Sequence, residues 1–216
     1  MFRKSTLMAA LGAVVMTAGC LQKETAQVIY LGPDGAASWI VSEVNVRSDE
    51  QVAGGPAVEE QGYIGSVLIG THGVARALAA LGPQEPVRTT IVREQRPFHV
   101  VTEARYAAID SALARLFTGL GIRTVAALAH NGYQRTLRVR LDFGTPILQQ
   151  DTDPSELIDA LDNLRFVLTE GRFEATEGFR LTDGTSATLS PEWLERVDEA
   201  SEAHAAIEFV LTWTIE

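Results

Sequence analysis

Cysteine is almost absent from this chain of 216 residues, which has a single one at position 20. No intramolecular disulfide can form, so a disulfide-stapled scaffold is excluded. Long apolar runs are also scarce. Beyond the first 19 residues the most apolar stretches are residues 63–70 and 125–129. Both are far shorter than the ~20 residues that a membrane-spanning helix needs, so we expect no such helix in this part of the chain.

Motifs that signal catalysis or cofactor binding are missing as well. The four histidines form neither an HExxH motif nor a His-x-His pair, and no P-loop is present. Residues 119–124 begin like a dinucleotide-binding loop but lack its third glycine. Residues 184–188 lack the second glycine of a serine-hydrolase elbow, and we interpret them as a polar turn rather than a strand-to-helix elbow. We therefore expect no metal and no cofactor, and we favour a non-catalytic protein over an enzyme.

Lysine is scarce, and charge is unevenly distributed. The chain carries 18 basic and 28 acidic residues, for a formal net charge of -10. Such acidity argues against nucleic acid as a partner. Residues 85–140 nevertheless hold nine basic and four acidic residues, and all nine basic ones are arginine. The middle of the chain is therefore a basic island in an acidic protein.

The N-terminus has the layout of an export signal. Two basic residues at positions 3 and 4 precede an apolar run at about residues 7–16, and Thr-Ala-Gly leads into Cys20. This end resembles the lipobox of bacterial lipoproteins, although the family usually has Leu where this chain has Thr17. The alternative is a plain secretory signal cleaved after Ala18 or Gly19.

The lipobox resemblance implies a location and a domain plan. It implies cleavage before Cys20, acylation of that residue by diacylglycerol and a fatty acid such as palmitate, and a domain outside the cytoplasm. Leu21 in place of Asp resembles the sorting pattern for the outer rather than the inner membrane. We therefore divide the chain into a signal peptide (1–19), a lipidated Cys with a polar tether (20–26) and one α+β domain (27–216).

Hairpin signals dominate the remainder. Turn residues at 32–35 separate two β-rich stretches, Arg96-Pro97 lies between two more, and Asn131-Gly132 is the strongest two-residue hairpin signal. Further strands are predicted at about 165–169, 172–175 and 179–181, and residues 207–215 alternate between apolar and polar as in a half-buried strand. The fold class is therefore α+β, with a mainly antiparallel sheet built from hairpins.

Three to four helices should pack on this sheet. Apolar spacing predicts a helix within residues 103–117, and N-capping residues predict helices at about 153–164 and 190–204. Residues 63–81 are ambiguous at first but end in a helical pattern that stops at Gly82-Pro83.

Part of the basic island is a candidate anion-binding site. Its proposed residues are Arg93, Arg96, His99 and Arg105, with Phe98 and Tyr106 interleaved. Arginine presents a planar fork that suits carboxylate or phosphate. The alternative is that these arginines pair with the acidic C-terminal third of the chain.

The sequence as a whole predicts a lipid-anchored protein of the bacterial envelope that acts as a non-catalytic binding or assembly module. Its expected partners are the membrane, through the N-terminal lipid, and an envelope protein or an anionic ligand. The alternative is an envelope hydrolase whose site is assembled from residues distant in sequence.

Overall fold

The computed structural model describes residues 21–49, 57–144 and 164–215. These residues form two β-sheets and four helices, so the predicted α+β class with mainly antiparallel strands is confirmed. The predicted helix at about 153–164 lies outside the described residues, apart from its last residue, Leu164, which begins a strand.

The first sheet has seven strands in the order β3-β4-β2-β1-β7-β10-β9. Their bounds are β1 Leu21–Leu31, β2 Ala37–Ser48, β3 Arg88–Arg93, β4 Phe98–Tyr106, β7 Leu164–Leu168, β9 Phe179–Asp183 and β10 Ser186–Leu189. Neighbouring strands are antiparallel except β1 and β7, which pair in parallel.

The second sheet has four strands in the order β5-β6-β11-β8. They are β5 Arg123–Asn131, β6 Gln134–Asp142, β8 Arg172–Glu177 and β11 Ala206–Thr214. The helices are α1 Val58–Leu68, α2 Gly73–Ala80, α3 Ile109–Gly119 and α4 Pro191–Glu202. As predicted, α4 is capped by Ser190, whose side chain accepts a hydrogen bond from the Trp193 backbone N–H at 3.1 Å.

The three predicted hairpins are all present. β1 pairs with β2, β3 with β4, and β5 with β6. Gly35 adopts φ +87° in the first hairpin turn and Gly132 adopts φ +60° in the third, a region that glycine enters at little cost. β11 also lies where its alternation predicts, with Ile207, Phe209 and Trp213 buried.

The hydrophobic core lies between the inner faces of the two sheets, together with α3 and α4. The inner face of β2 begins with Trp39 and Val41, and β11 contributes Phe209 and Trp213. Because aromatic side chains bury the most area, the three fully buried tryptophans make a large share of this core. Leu78 of α2 also packs in this core, while the inner face of the first sheet beyond Val41 is covered by α1 and the start of α2.

Three predictions are corrected. Residues 21–26 are not a separate tether, because they form the first half of β1 and pair with the end of β2. Residues 103–106 belong to β4 rather than to a helix, since Glu103 and Arg105 pair with Ile40 and Ser38 of β2. Residues 186–188, read as a polar turn, lie in β10 between β7 and β9. In the last two cases pairing with a distant strand overrides local pattern.

Candidate functional site

Several segments meet at the end of the first sheet where β1 begins. Leu21 pairs with Ser48 at the end of β2, and Val46 of β2 pairs with Phe98 at the start of β4. The β3–β4 turn and the first turn of α1 lie at the same end, as their contacts with Ser48 show. We call this region the anchor end. Cys20, the predicted lipidation site, precedes it directly and lies outside the described residues.

An ion pair between exposed Arg96 and buried Glu60 joins three of these segments. Glu60, in the first turn of α1, has no exposed surface, and its Oε1 accepts hydrogen bonds from the Ser48 backbone N–H at 2.6 Å and from Arg96 Nε at 2.9 Å. Arg96 also donates to the Ser48 carbonyl at 2.9 Å. A carboxylate buried at a helix N-terminus and paired in this way holds α1, β2 and the β3–β4 turn together.

Two open clefts flank Arg96. One has a volume of about 520 Å³, lies between α1 and the β3–β4 turn and is mainly apolar, with Ile64 and Phe98 among its lining residues. The other has a volume of about 490 Å³ and lies beside the start of β1, where Arg47 and Asp49 line it. Neither is a closed polar pocket of the kind expected for an assembled hydrolase site, and His99 lines neither of them.

The four residues of the predicted anion site are spread over a long stretch of the sheet. Arg93 is exposed and pairs in register with His99, and Arg96 lies in the turn between them. Arg105 lies six residues beyond His99 on β4 and contacts Glu103 at 3.1 Å. At ~3.3 Å per residue that separation is about 20 Å, so only Arg93, Arg96 and His99 share the same end of the hairpin.

Within the described residues, the ion-pair partners of the candidate arginines lie outside the acidic C-terminal third. Arg96 pairs with Glu60, and Arg105 pairs with Glu103. Farther along the basic island, Arg138 does reach the C-terminal third, with its Nη1 3.4 Å from Glu208.

His99 makes one contact with catalytic potential. Its Nε2 lies 2.8 Å from Ser42 Oγ, a distance at which a histidine can accept a hydroxyl proton. Both residues are half-buried. His99 and Val100 are successive residues of β4, and Val100 faces the core, so the Ser42–His99 pair lies on the opposite face of the sheet.

A second polar cluster lies beneath α1 and α2, and sequence reasoning missed it. Glu43 is fully buried and forms an ion pair with Lys23, while its Oε2 accepts a hydrogen bond from the Tyr63 hydroxyl at 2.7 Å. His72 Nε2 lies 3.1 Å from Thr102 Oγ1 and 3.8 Å from Glu43 Oε2. We call these five residues the buried polar cluster.

Burial controls the proton equilibria in this cluster. Desolvation lowers the pKa of His72 below its usual value, although the carboxylate of Glu43 opposes the shift. Desolvation and the hydrogen bond to Glu43 raise the pKa of Tyr63. A pKa lowered from 6.5 favours the neutral form of His72 at pH 7, and its buried Nδ1 has no hydrogen-bond partner among the described residues. The available sequence signal was Glu43 itself, since it follows Trp39 and Val41 on the buried face of β2.

The described residues contain neither a candidate metal site nor a membrane-spanning helix. Within residues 21–49, 57–144 and 164–215, no three His, Cys, Asp or Glu side chains are grouped closely enough to hold a metal ion. Across the same ranges, none of the helices combines the length and apolar character required to cross a bilayer.

The chain is similar to a solved mycobacterial domain but matches no protein-family model. No protein-family model matches the sequence, and no curated protein does so either. The NMR structure of the folded domain of LppM from Mycobacterium tuberculosis is similar over 99% of this chain and 96% of that one, with a TM-score of 0.38 and 12% sequence identity. This TM-score is too low to assign the chain to the fold family of LppM or to infer its function from that protein.

Proposed function

We propose that this chain is a lipid-anchored protein of the bacterial envelope, favouring the outer membrane, and that its domain is a non-catalytic binding or assembly module. The observation that carries the proposal is the export signal that ends in Thr-Ala-Gly-Cys, with the first strand of the domain starting at the next residue, Leu21. An acylated Cys20 would hold the anchor end of the sheet directly at the membrane surface, because one peptide unit spans only ~3.8 Å.

Metabolic labelling with a fatty acid tests the anchor. Cys20→Ser removes the only thiol in the chain, so the protein should lose the label and accumulate as an unprocessed precursor. Thr17→Leu is the matched control, since it restores the usual lipobox residue and should keep the label. Equal labelling of wild type and Cys20→Ser would overturn the proposal.

The binding role is assigned to the anchor end. Arg96 lines the mainly apolar cleft together with Glu94, and Arg93 ends β3 one residue before Glu94. An apolar cleft with an arginine at its edge and a second arginine nearby suits a ligand or partner that combines an anionic group with an apolar portion. Arg93 is the better test of this role, because Arg96 also holds Glu60.

Two charge reversals separate binding from stability. Arg93→Glu should weaken binding to vesicles of phosphatidylglycerol and leave the melting temperature unchanged, since Arg93 is exposed. Arg96→Glu should lower the free energy of unfolding by ~1–3 kcal/mol, because buried Glu60 loses its partner and faces a like charge that solvent partly screens. Unchanged vesicle binding in Arg93→Glu would remove the anion-binding role.

The Ser42–His99 contact favours a second candidate, an envelope hydrolase. In that reaction Ser42 Oγ would attack a carbonyl carbon while His99 takes the hydroxyl proton. His99 would then give this proton to the leaving group as its bond to the carbonyl carbon breaks, and water would hydrolyse the resulting acyl-serine. Ser42 should then react with a fluorophosphonate probe, and Ser42→Ala should abolish that labelling while Ser38→Ala keeps it. Failure of the wild-type protein to react would leave the non-catalytic module.

A further inference from the structure

Helix α1 presents an unusual surface to solvent. Of its 11 residues only Glu60 and Val67 are buried, whereas Val58 is 80% exposed and Leu68 is 72% exposed. Ile69, which caps the helix, is 74% exposed. Isolated exposed aliphatic residues are ordinary, but here they lie at both ends of one short helix, with Val58 at its start and Leu68 and Ile69 at its end.

Charge is scarce on this surface, because Glu59 is the one charged residue of α1 that is not buried. From residue 61 to residue 75 the chain has no Asp, Glu, Lys or Arg, although 21% of the whole chain is charged. Gly62 and Gly65 are exposed within the helix, and no described atom lies within 4 Å of where a Cβ would be placed on either. Glycine weakens a helix relative to alanine, and no contact among the described residues accounts for these two.

The position of α1 indicates what covers it. Its first turn contacts Ser48, the partner of Leu21, and Tyr63 reaches Glu43, which holds Lys23. The helix therefore starts beside the residue that follows Cys20. A helix of 11 residues is only ~16 Å long. All of α1 therefore lies close to Cys20, where the lipid would be attached.

We propose that the exposed face of α1, formed by Val58, Gly62, Gly65, Leu68 and Ile69, lies in the headgroup region of the bilayer that Cys20 enters. This inference rests on the proposed lipid anchor and adds a second membrane contact to it. Apolar side chains on an interfacial helix insert at the boundary between headgroups and acyl chains. The exposed Arg76 at the start of the next helix can contact lipid phosphates. The domain would then lie on its α1 side, rather than standing upright on the end of the sheet.

The only native thiol is Cys20, so lipidation leaves the chain ready for site-specific labelling. Leu68→Cys places a fluorophore on α1, and Val125→Cys places one on β5, where Val125 is 64% exposed. The full lipidated chains are reconstituted into phosphatidylcholine–phosphatidylglycerol vesicles that contain nitroxide-labelled lipid. Mass spectrometry first verifies diacylglycerol on Cys20.

The expected result is at least several-fold stronger quenching by the lipid nitroxide at position 68 than at position 125. Equal quenching at the two positions in a chain that carries the lipid would overturn the interfacial role of α1 and leave the anchor intact. Absence of lipid on Cys20 would instead overturn the anchor, and this inference with it.

A second copy of the chain is the competing occupant of this face, since exposed glycines also permit close helix packing. In detergent, without a bilayer, Leu68→Cys should remain monomeric when treated with a bis-maleimide cross-linker, as Val125→Cys should. Efficient dimer formation by Leu68→Cys alone would assign the face to a second copy and overturn the membrane contact.

Discussion

Trp213 provides a sharp test of the core, because its burial has a favourable and an unfavourable part. It lies on β11, between β6 and β8, and is fully buried, with its ring packed edge-on against Phe173 at a centroid distance of 6.3 Å. Its indole Nε1, however, is buried without a hydrogen-bond partner among the described residues. The side chain therefore stabilises the fold by packing and destabilises it by desolvating a donor.

The two contributions can be separated by two substitutions. Truncating a buried tryptophan to alanine costs ~3–5 kcal/mol, and removal of the unpaired donor returns ~1–3 kcal/mol. We expect Trp213→Ala to lie near the lower end of the range, at about 3 kcal/mol. Trp213→Phe keeps an aromatic ring but leaves a small cavity, which costs ~1 kcal/mol of stability. It also removes the unpaired indole donor, which returns ~1–3 kcal/mol. The stability of this variant should therefore equal or exceed that of wild type.

Thermal denaturation followed by circular dichroism, with Cys20→Ser in every variant, measures these effects. For a chain of this size ~3 kcal/mol corresponds to a decrease of about 6–12 °C in melting temperature. Thr212→Ala is the control on the opposite face of β11, where Thr212 is half-buried, and it should cost less than ~1 kcal/mol. Equal losses for the alanine variants at 212 and 213 would refute the assigned face. A loss in Trp213→Phe as large as in Trp213→Ala would refute the unpaired donor.

Two further predictions concern the buried polar cluster and the tight turns. Burial lowers the pKa of His72 in the folded protein, so as the pH falls the unfolded chain binds a proton at His72 before the folded chain does. Protonation therefore favours the unfolded state, and the free energy of unfolding decreases as the pH falls below ~6.5. The difference in melting temperature between pH 7.5 and 5.5 should therefore shrink in His72→Asn but not in the exposed control His130→Gln. Gly171→Ala should cost ~3 kcal/mol or more in urea denaturation, since φ is +87° and the new Cβ would lie 1.9 Å from a backbone oxygen. Gly132→Ala, at φ +60° in open space, should cost only about 1 kcal/mol, and equal costs would contradict the clash.

The buried polar cluster shows how the fold uses one sheet face in two ways. Trp39 and Val41 lie on the inner face of β2 and join the core, and Glu43 continues the same face beneath α1 and α2. A fully buried carboxylate is stable only with partners, and Lys23 and Tyr63 supply them. The attachment of α1 to the sheet is therefore largely polar, which fits a helix that keeps its aliphatic residues on the outside.

Local sequence determined the elements whose signals are short-range. Turn chemistry at Asn131-Gly132 and residues 32–35 predicted two hairpins, and alternation along residues 207–215 predicted the buried face of β11. The Ser190 cap placed the start of α4. Backbone preference and the two-residue period of a strand act within a few residues, so they can be read without knowing the fold.

Tertiary structure alone decided the remainder. Residues 103–106 have helical spacing but complete β4, because pairing with β2 satisfies their backbone groups. The arginines of the basic island are close in sequence, yet β4 carries Arg105 about 20 Å from His99. Conversely, Glu43, Tyr63 and His72 are far apart in the chain and meet only where α1 and α2 cover the sheet. Which side chains share a site depends on strand pairing and helix docking between distant segments, and no local pattern encodes those distances.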